Sequence, residues 1–236
     1  MPTLPSHPDV VGRSYRLVRS AATAADFHAR VVPDPAAMEI WWHDITSPAL
    51  VLGSTQSADV VDHQACRRAG VEVVRRRSGG GAVLLVPGAV TWIDVIVPAD
   101  SPGWADDIHA PMVWLGGHVA DVLGELLGDR TISVHEGPMM STAWSSTVCF
   151  DGLGAGEVLL DGVKLVGISQ RRTRHAARLQ CCWYGEYGPA ALVDLLDSAH
   201  RPSVADLQPV ATLSPLIADA IPAALAARLT ARLAAT

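Results

Sequence analysis

The chain has 236 residues, of which 49% are hydrophobic and 18% are charged, so it is long enough to bury a substantial core and too apolar to be disordered. Its formal net charge of -6 excludes a general attraction to nucleic-acid backbones, although a local basic cluster can still bind one phosphate. The 20 Gly and 16 Pro show no short period, which excludes collagen-like and low-complexity chains.

The first predicted elements are two short helices separated by two strand-like segments. A helix is expected at about 21–30, and the runs EIWWHDIT and ALVLGS that follow it meet at a Ser-Pro turn, which is most simply a hairpin. A second helix is expected from Asp62 to Ala69, because Asp caps helix N-termini and Gly70 suits the residue after a helix.

Three strands come next and carry most of the predicted sheet. The segment VEVVRRR leads into three consecutive glycines, and AVLLV and TWIDVIVP are joined through a Pro-Gly turn. Residues 108–127 then have apolar side chains at spacings of three and four, which predicts an amphipathic helix that covers the sheet.

A second hairpin is predicted in the segment EVLLDGVKLVGISQ, which follows the short strand TISVHEG. An Asp-Gly pair between two apolar runs is a strong signal for a two-residue turn. This turn sets Leu160 opposite Val163, and one step further along it sets Leu159 opposite Lys164. The Ala- and Leu-rich C-terminal third is predicted to form helices that prolines start or break.

The predicted strands occur in groups with helices between them, which is typical of an α+β fold and not of a doubly wound one. We therefore expect a mixed, largely antiparallel sheet with helices packed on it. The chain has no internal repeat and no stretch polar enough to be a linker before the proline-containing segment Arg201 to Pro215, so a single domain over residues 1–236 is predicted. Its core would span about 36–200, with a helical C-terminal segment at 203–236.

Three cations precede three glycines in the segment RRRSGGGA at residues 75–82. Backbone amides without side chains in the way can approach an anion closely, and Arg76 would then hold a phosphate or carboxylate through two hydrogen bonds. The alternative is a flexible loop beside a solvated run of charges. The segment is not a Walker loop, since no GK[ST] follows it, and it is not a dinucleotide fingerprint.

Lys164 lies inside an apolar strand. Burying an ammonium group there is costly unless it meets an anion or a polarised oxygen, which indicates a ligand-binding lysine. The alternative is a lysine on an edge strand that prevents pairing with another chain. In the first case, Lys164→Ala is expected to slow catalysis on the order of a hundredfold without destabilising the fold; in the second, it is expected to promote aggregation.

Cys149 is the third candidate. A free cysteine is usually a small core residue. It acts as a nucleophile only beside a positive neighbour, and the sequence offers Lys164 for this purpose if the two segments meet in the fold. The 4 cysteines have neither zinc-ligand spacing nor a disulfide framework, so we expect reduced thiols and no tightly bound metal.

Together, the segments RRRSGGGAV and CFDGLGAGEVLLDGVKLVGISQRR resemble the catalytic domain of the biotin/lipoate ligase superfamily, in particular lipoate-protein ligases and the related octanoyltransferases. The resemblance runs from Trp41 to about Leu195. It implies the class II synthetase-like fold of those catalytic domains. It also implies a lipoate-protein ligase, which joins lipoate or a similar medium-chain acid to a lysine of an acceptor domain through an acyl-adenylate, with ATP and Mg.

The resemblance also assigns site residues and partners. Lys164 would hold the acyl carbonyl and the phosphate, and other residues would bind the adenylate and the acyl chain. These residues are Arg76, Ser78, Gly79, Gly80, Gly81, Ala82, Gly167, Ser169 and Gln170. We expect the acyl tail between apolar strands such as 82–84. The acceptor would be the lipoyl domain of a 2-oxoacid dehydrogenase E2 or a glycine cleavage H-type protein.

Departures from the family pattern leave two alternatives open. The residues Leu84-Leu85-Val86 replace an aromatic residue followed by His-Asp, and the segment 135–138 replaces an Asn-Asp pair. Because carboxylates usually help to hold magnesium beside the nucleotide, the use of ATP is open. The strand histidine is also missing, which favours neither route. The segment that begins at Cys149 resembles one octanoyltransferase branch, in which the thiol takes octanoate from an acyl carrier protein and passes it to lysine without ATP. A non-catalytic paralogue that binds an acyl-adenylate or a lipoyl domain is the other alternative.

The sequence also predicts where the protein acts. No apolar run is long enough to span a bilayer, and the first 20 residues lack the basic, apolar and small regions of a signal peptide. We therefore expect a cytoplasmic protein with no membrane or nucleic-acid partner.

Overall fold

The computed structural model describes residues 14–234. The first thirteen residues and the last two, which the predicted domain includes, lie outside the described residues. Most of the first 20 residues, on which the expectation about a signal peptide rests, therefore also lie outside the described residues.

A seven-stranded sheet lies at the centre of the described part of the chain. From one edge to the other, its strands are β1 (Arg16–Ala22), β2 (Glu39–Ile45), β6 (Val90–Pro98), β10 (Ala176–Tyr184), β9 (Val163–Arg172), β8 (Val158–Leu160) and β7 (Ile132–Val134). Strands β1 and β2 are parallel, and every other neighbouring pair is antiparallel. The predicted mixed, largely antiparallel sheet is confirmed.

A three-stranded sheet packs beside it and contains β4 (Glu72–Arg75), β3 (Ala49–Leu52) and β5 (Val83–Leu85), in that order. Strand β3 is parallel to β4 and antiparallel to β5. The predicted hairpin of β2 with β3 is therefore wrong, since the two strands belong to different sheets. Strand β2 pairs with β1 at one edge and with β6 at the other. Neither partner follows β2 directly in the chain, so a turn signal after β2 could not indicate them.

The helices are α1 (Ala24–Ala29), α2 (His63–Ala69), α3 (Ala110–Leu127), α4 (Pro189–Val193) and α5 (Pro215–Ala234). The capped helix predicted after Asp62 is confirmed: Asp62 Oδ1 accepts hydrogen bonds from two backbone amides, and Gly70 has a positive φ of 65°. Helix α1 is shorter than predicted because residues 21–22 belong to β1. Pro222 lies inside α5 without ending it.

Helices α3 and α5 pack on one face of the large sheet and against each other. Leu115, Val119 and Leu123 of α3 are buried in one apolar cluster with Ile221 and Leu225 of α5. Burial of these side chains ties the C-terminal helix to the sheet that carries the site. No helix within residues 14–234 is long and apolar enough to cross a membrane.

The Asp-Gly hairpin between β8 and β9 is confirmed in its predicted register. Leu160 pairs with Val163, and Leu159 pairs with Lys164. The turn residue Asp161 has a φ of 50°, and the glycine after it has a φ of 80°, as a two-residue hairpin turn requires. Lys164 therefore lies on a strand with β8 at one side and β10 at the other. The edge-strand interpretation of this lysine is wrong.

Candidate functional site

A cavity of about 470 Å³ opens where the glycine-rich loop faces β9. Its apolar lining comes from four side chains, Ile108, Met112, Met139 and Ile168, and Gly79 to Gly81 also line it. Other residues bring polar atoms or charge to the lining. They are Arg77, Ser145, Cys149, Glu157, Lys164, Ser169, Gln170, Arg171 and Arg172.

The glycine-rich loop is packed tightly between two other segments. A Cβ on Gly81 would come within 2.8 Å of the backbone nitrogen of Cys149, and a Cβ on Gly53 would overlap the carbonyl of Gly80. Gly80 also has a φ of 101°, which other residues rarely adopt. The loop therefore needs glycines because backbones approach each other there, and the interpretation as a flexible loop does not fit this packing.

Arg76 is 1% exposed and holds this loop in place. Its Nη2 donates to the carbonyl oxygens of Gly79 and Gly81 at 2.7 and 2.9 Å, and its Nη1 donates to that of Val51 at 3.3 Å. Most hydrogen bonds of this guanidinium therefore go to backbone carbonyl oxygens. The direct binding of a ligand anion by Arg76 stays a prediction.

Lys164 is 7% exposed and meets three oxygen atoms of the protein. Its Nζ lies 3.0 Å from the Cys149 carbonyl oxygen, 2.7 Å from that of Gly152 and 2.7 Å from Glu157 Oε2. Because an ammonium group has three N–H donors, all of them have partners here. Binding of the acyl carbonyl, which stays a prediction, requires Lys164 to release one of these partners.

Glu157, which sequence reasoning missed, is the buried counter-charge of this lysine. It is 4% exposed, and its two oxygens also accept from the backbone amides of Gly154 at 2.7 Å and Ile168 at 3.3 Å. Its position seven residues before Lys164 in the same hairpin was an available signal. A register shift between Val158 and Leu159 of β8 changes the pairing there, and no residue pattern indicated this shift.

Cys149 begins the 3-10 turn at 149–151, and its thiol lies at the cavity. Arg76 Nη2 is 3.7 Å from Sγ, while Lys164 holds the carbonyl of the same residue. The segments that contain Cys149 and Lys164 are therefore in contact, as a reactive Cys149 would need. The cation beside the sulfur is Arg76, however, and a positive neighbour of this kind is what a reactive thiol needs.

A network of polar side chains lies beneath the glycine-rich loop. Asp94 is fully buried and accepts hydrogen bonds from Arg178 Nη2 at 2.6 Å and Gln180 Nε2 at 3.1 Å, and His43 Nε2 lies 2.8 Å from it. Burial alone would raise the pKa of Asp94, but Arg178 and His43 hold it well below its usual range.

The network continues to the loop itself. Gln180 Oε1 accepts from Ser78 Oγ at 2.7 Å, and Ser169 Oγ donates to Ser78 Oγ at 3.0 Å. We call His43, Asp94, Arg178, Gln180 and Ser78 the buried polar layer. Through Ser169 this layer reaches the cavity lining.

The predicted binding residues divide into two groups. The three glycines, Ser169 and Gln170 line the cavity. Ser78, Ala82 and Gly167 are buried behind it: Ala82 pairs with the segment before Cys149, and Gly167 packs against Phe150. The expected position of the acyl tail at 82–84 does not match the apolar lining, because Val83 and Leu84 are buried elsewhere and the cavity uses Met112 and Met139.

A metal ion would find few ligands at this site. Within residues 14–234 there is no group of three His, Cys, Asp or Glu side chains that could hold one. Glu157 is the single carboxylate among the residues that line the cavity, and its Oε2 is paired with Lys164. These residues do not fit a magnesium site of the protein's own.

Comparisons with known proteins show the family and the fold of the chain. The model of the lipoyl protein ligase A/B catalytic domain family matches residues 25–233. No curated protein matches the chain in sequence.

Solved structures share the fold at low sequence identity. Protein Ta0514 from T. acidophilum, with bound lipoic acid, is 17% identical over 93% of this chain and 86% of its own, with a TM-score of 0.65. Lipoate-protein ligase A bound with ATP is 18% identical over 93% and 85%, with a TM-score of 0.64. A bipartite lipoate protein ligase from Thermoplasma acidophilum, studied with its E2 lipoyl domain, is 16% identical over 93% and 84%, with a TM-score of 0.60.

The family match covers almost the whole chain, and the fold is the one that lipoate ligases have. The protein belongs to the lipoyl protein ligase A/B catalytic domain family.

Proposed function

We propose that the protein is a lipoate-protein ligase-like enzyme that attaches lipoate or a similar medium-chain acyl group to a lysine of an acceptor domain. The observation that carries the proposal is a single cavity that combines an apolar lining, the glycine backbone and the Lys164 ammonium. Met112 and Met139 offer an adaptable surface to an acyl tail, and the polar wall offers donors to its carbonyl end.

In the ligase route, the acid attacks the α-phosphate of ATP and gives an acyl-adenylate and pyrophosphate. The acceptor amine then attacks the acyl carbonyl and releases AMP. Negative charge develops on the carbonyl oxygen in this second step, and Lys164 is the cation available to stabilise it once it exchanges one protein oxygen for the substrate. Lipoic acid and ATP bound to the similar structures support this route.

A second route is favoured by the position of Cys149. Its sulfur lies at the cavity, 3.7 Å from the buried Arg76 guanidinium. In this route Sγ attacks the thioester of an acyl carrier protein, the carrier thiol leaves with a proton, and an acyl-enzyme forms. The acceptor amine then takes the acyl group as an amide, and its proton returns to Sγ. No ATP is needed.

The two routes separate in one set of assays with purified protein. The ligase route predicts pyrophosphate release that depends on both ATP and lipoate or octanoate. The transferase route predicts a mass increase of one octanoyl group on incubation with octanoyl carrier protein, which Cys149→Ala abolishes and Cys66→Ala preserves. Cys66 is a matched control because it is buried in α2, outside the cavity.

Failure of both assays with every acid from C6 to C10 would contradict the enzymatic proposal. Tight binding of a non-hydrolysable acyl-adenylate without turnover would instead indicate the non-catalytic paralogue.

As acceptor we propose a lipoyl domain of a 2-oxoacid dehydrogenase E2 or a glycine cleavage H-type protein. The structure of the Thermoplasma ligase with its E2 lipoyl domain supports the first of these. A cytoplasmic location is part of the same proposal.

A further inference from the structure

A second cavity, of about 230 Å³, adjoins the cavity described above, which we now call the first cavity. Neighbouring residues of the same segments line different cavities: Met139 and Cys149 line the first, whereas Met140 and Asp151 line the second. Of the described residues, Lys164 alone lines both. The second cavity therefore borders the proposed reaction centre at Lys164.

The lining of the second cavity is mostly apolar and includes one acidic and one basic side chain. Met140 is 59% exposed and Gln208 is also exposed, so the cavity opens to solvent. Asp151 and Lys164 are its charged residues. Its apolar side chains are Met140, Phe150, Leu153, Leu159, Val163 and Pro209.

Asp151 is a buried carboxylate whose partners are neutral. It is 3% exposed, and its Oδ1 accepts from the backbone amide of Gln208 at 2.7 Å, while its Oδ2 accepts from the Thr142 hydroxyl. Its side chain forms no ion pair with any residue from 14 to 234. The two oxygens of a carboxylate offer about four lone-pair sites, so Asp151 can accept from a further donor.

The charge of Lys164, in contrast, is already matched. Its Nζ lies 2.7 Å from Glu157 Oε2, and it also donates to the carbonyl oxygens of Cys149 and Gly152. Lys164 therefore does not neutralise Asp151. Because a buried charge without a counter-charge is costly, a ligand that brings a cation into this cavity would be stabilised there.

We infer that the second cavity binds the side chain of the acceptor lysine before that lysine is acylated. The inference rests on the proposed function and names the site of its second substrate. A lysine side chain combines a four-carbon apolar stem with an ammonium group, which match the apolar lining and the Asp151 carboxylate. A cavity of roughly 150 Å³ can hold a benzene molecule, so this larger one has room for the whole side chain.

The position of the cavity also suits the second substrate. Acyl transfer requires the acyl donor and the acceptor amine to be held at one carbonyl group. The first cavity is the proposed place of the donor, and the second reaches Lys164 from a separate lining. The two substrates would therefore bind together without competing for one space.

Direct binding tests the inference without any turnover. Nuclear magnetic resonance titrations would use Nα-acetyl-lysine methylamide and its norleucine counterpart, which has the four-carbon stem and no ammonium group. The proteins would be wild type, Asp151→Asn and Asp59→Asn. Asparagine has the shape of aspartate and can still accept from Gln208 and donate to Thr142. Asp59 is an exposed acid that lines neither cavity.

We expect the wild type to bind the lysine probe at least about tenfold more tightly than the norleucine probe, since a charged hydrogen bond is made. Asp151→Asn should abolish this preference, and Asp59→Asn should keep it. Leu159→Trp, which fills the cavity and leaves the carboxylate in place, should weaken binding of the lysine probe. In acyl transfer, Asp151→Asn should raise the KM for the acceptor domain at least about tenfold, unlike Asp59→Asn.

The inference is overturned if the wild type binds the two probes equally or binds neither, or if Asp151→Asn keeps the preference. It is also overturned if Asp59→Asn loses the preference, or if Leu159→Trp binds the lysine probe as the wild type does. Acyl transfer with an unchanged acceptor KM in Asp151→Asn would contradict this inference alone. A protein that selects the lysine probe through Asp151 and transfers no acyl group would contradict the proposed function alone.

Discussion

Arg76 and Arg77 are neighbours in the chain, yet they belong to opposite kinds of environment. Arg76 and the buried polar layer have partners for nearly all their charge and hydrogen-bonding groups. Arg77 and Arg171 have none among residues 14–234. The difference teaches that arginine has two separate uses at this site. Arg76 fixes the shape of the backbone, whereas the guanidinium groups of Arg77 and Arg171 have no partner among the described residues.

The largest expected effect on stability comes from a substitution in the buried polar layer. Arg178→Met leaves the buried Asp94 carboxylate without its cation, and the free energy of unfolding should fall by about 3–5 kcal/mol. Arg171→Met is the matched control, because the two arginines are directly opposed on neighbouring strands. This control should change stability by less than about 0.5 kcal/mol. Equal losses in urea unfolding would remove the distinction between the two environments.

The second test concerns the buried pair of Lys164 and Glu157. Lys164→Met leaves the Glu157 carboxylate buried and unpaired, so it should cost about 3 kcal/mol. This revises the expectation from sequence that loss of the lysine would leave the fold as stable as before. The double variant Lys164→Met/Glu157→Leu should recover part of the loss. Urea unfolding of the single and double variants checks this, and an unchanged Lys164→Met protein would contradict it.

The third test distinguishes two adjacent glycines. Gly80→Ala forces an unfavourable positive φ and places Cβ 2.7 Å from Arg76 Nη2, so it should cost about 2 kcal/mol. Gly79→Ala has no atom within 4 Å of the added Cβ and should be nearly neutral. Thermal unfolding measures both. The proposed anion-binding role of the loop would also make Gly80→Ala the more damaging change for acyl transfer.

The smallest expected effect is a dependence of stability on pH that comes from His28. Its folded pKa is about 3, below the ordinary value of 6.5, because the ring is buried. As pH falls below 6.5 the unfolded chain takes up a proton that the folded protein refuses, so stability falls. Between pH 6.5 and 5.5 the loss should be about 1 kcal/mol.

Urea unfolding across pH 7 to 4 measures this slope for wild type, His28→Gln and the exposed control His63→Gln. The slope should flatten in His28→Gln and persist in the control. The depressed pKa of Asp94 acts in the same direction, but only below about pH 4, where its unfolded form protonates. A wild-type slope that survives in His28→Gln would contradict the assignment.

The sequence predicted the parts of the fold whose signals are local. Asp62 and Gly70 mark the ends of α2, and the Asp-Gly pair sets the register of β8 and β9. The pairing of β2 was not predictable in this way, because its partners are β1 and β6 and burial of both strand faces erases the alternation that would have indicated them.

At the site, residue types were predictable and their environments were not. The glycines and Lys164 stood out because glycine and buried charge are costly without a purpose. Alternation along the predicted strand VEVVRRR places Arg76 and Arg77 on opposite sides, yet it does not reveal which side is inside. Glu157 was missed because its proximity to Lys164 depends on an irregular register beside Val158.

The close packing of the glycine-rich loop has a consequence for substrate selection. The part of the lining formed by Gly80 and Gly81 is backbone in close contact with other backbone, so it is rigid. A rigid surface can hold the reacting end of a substrate in one orientation. The lining also includes Met112 and Met139, whose unbranched side chains rotate easily and fill irregular space. Discrimination at this site should therefore be strict for the chemical group at the head of the donor and tolerant of the length and shape of its tail.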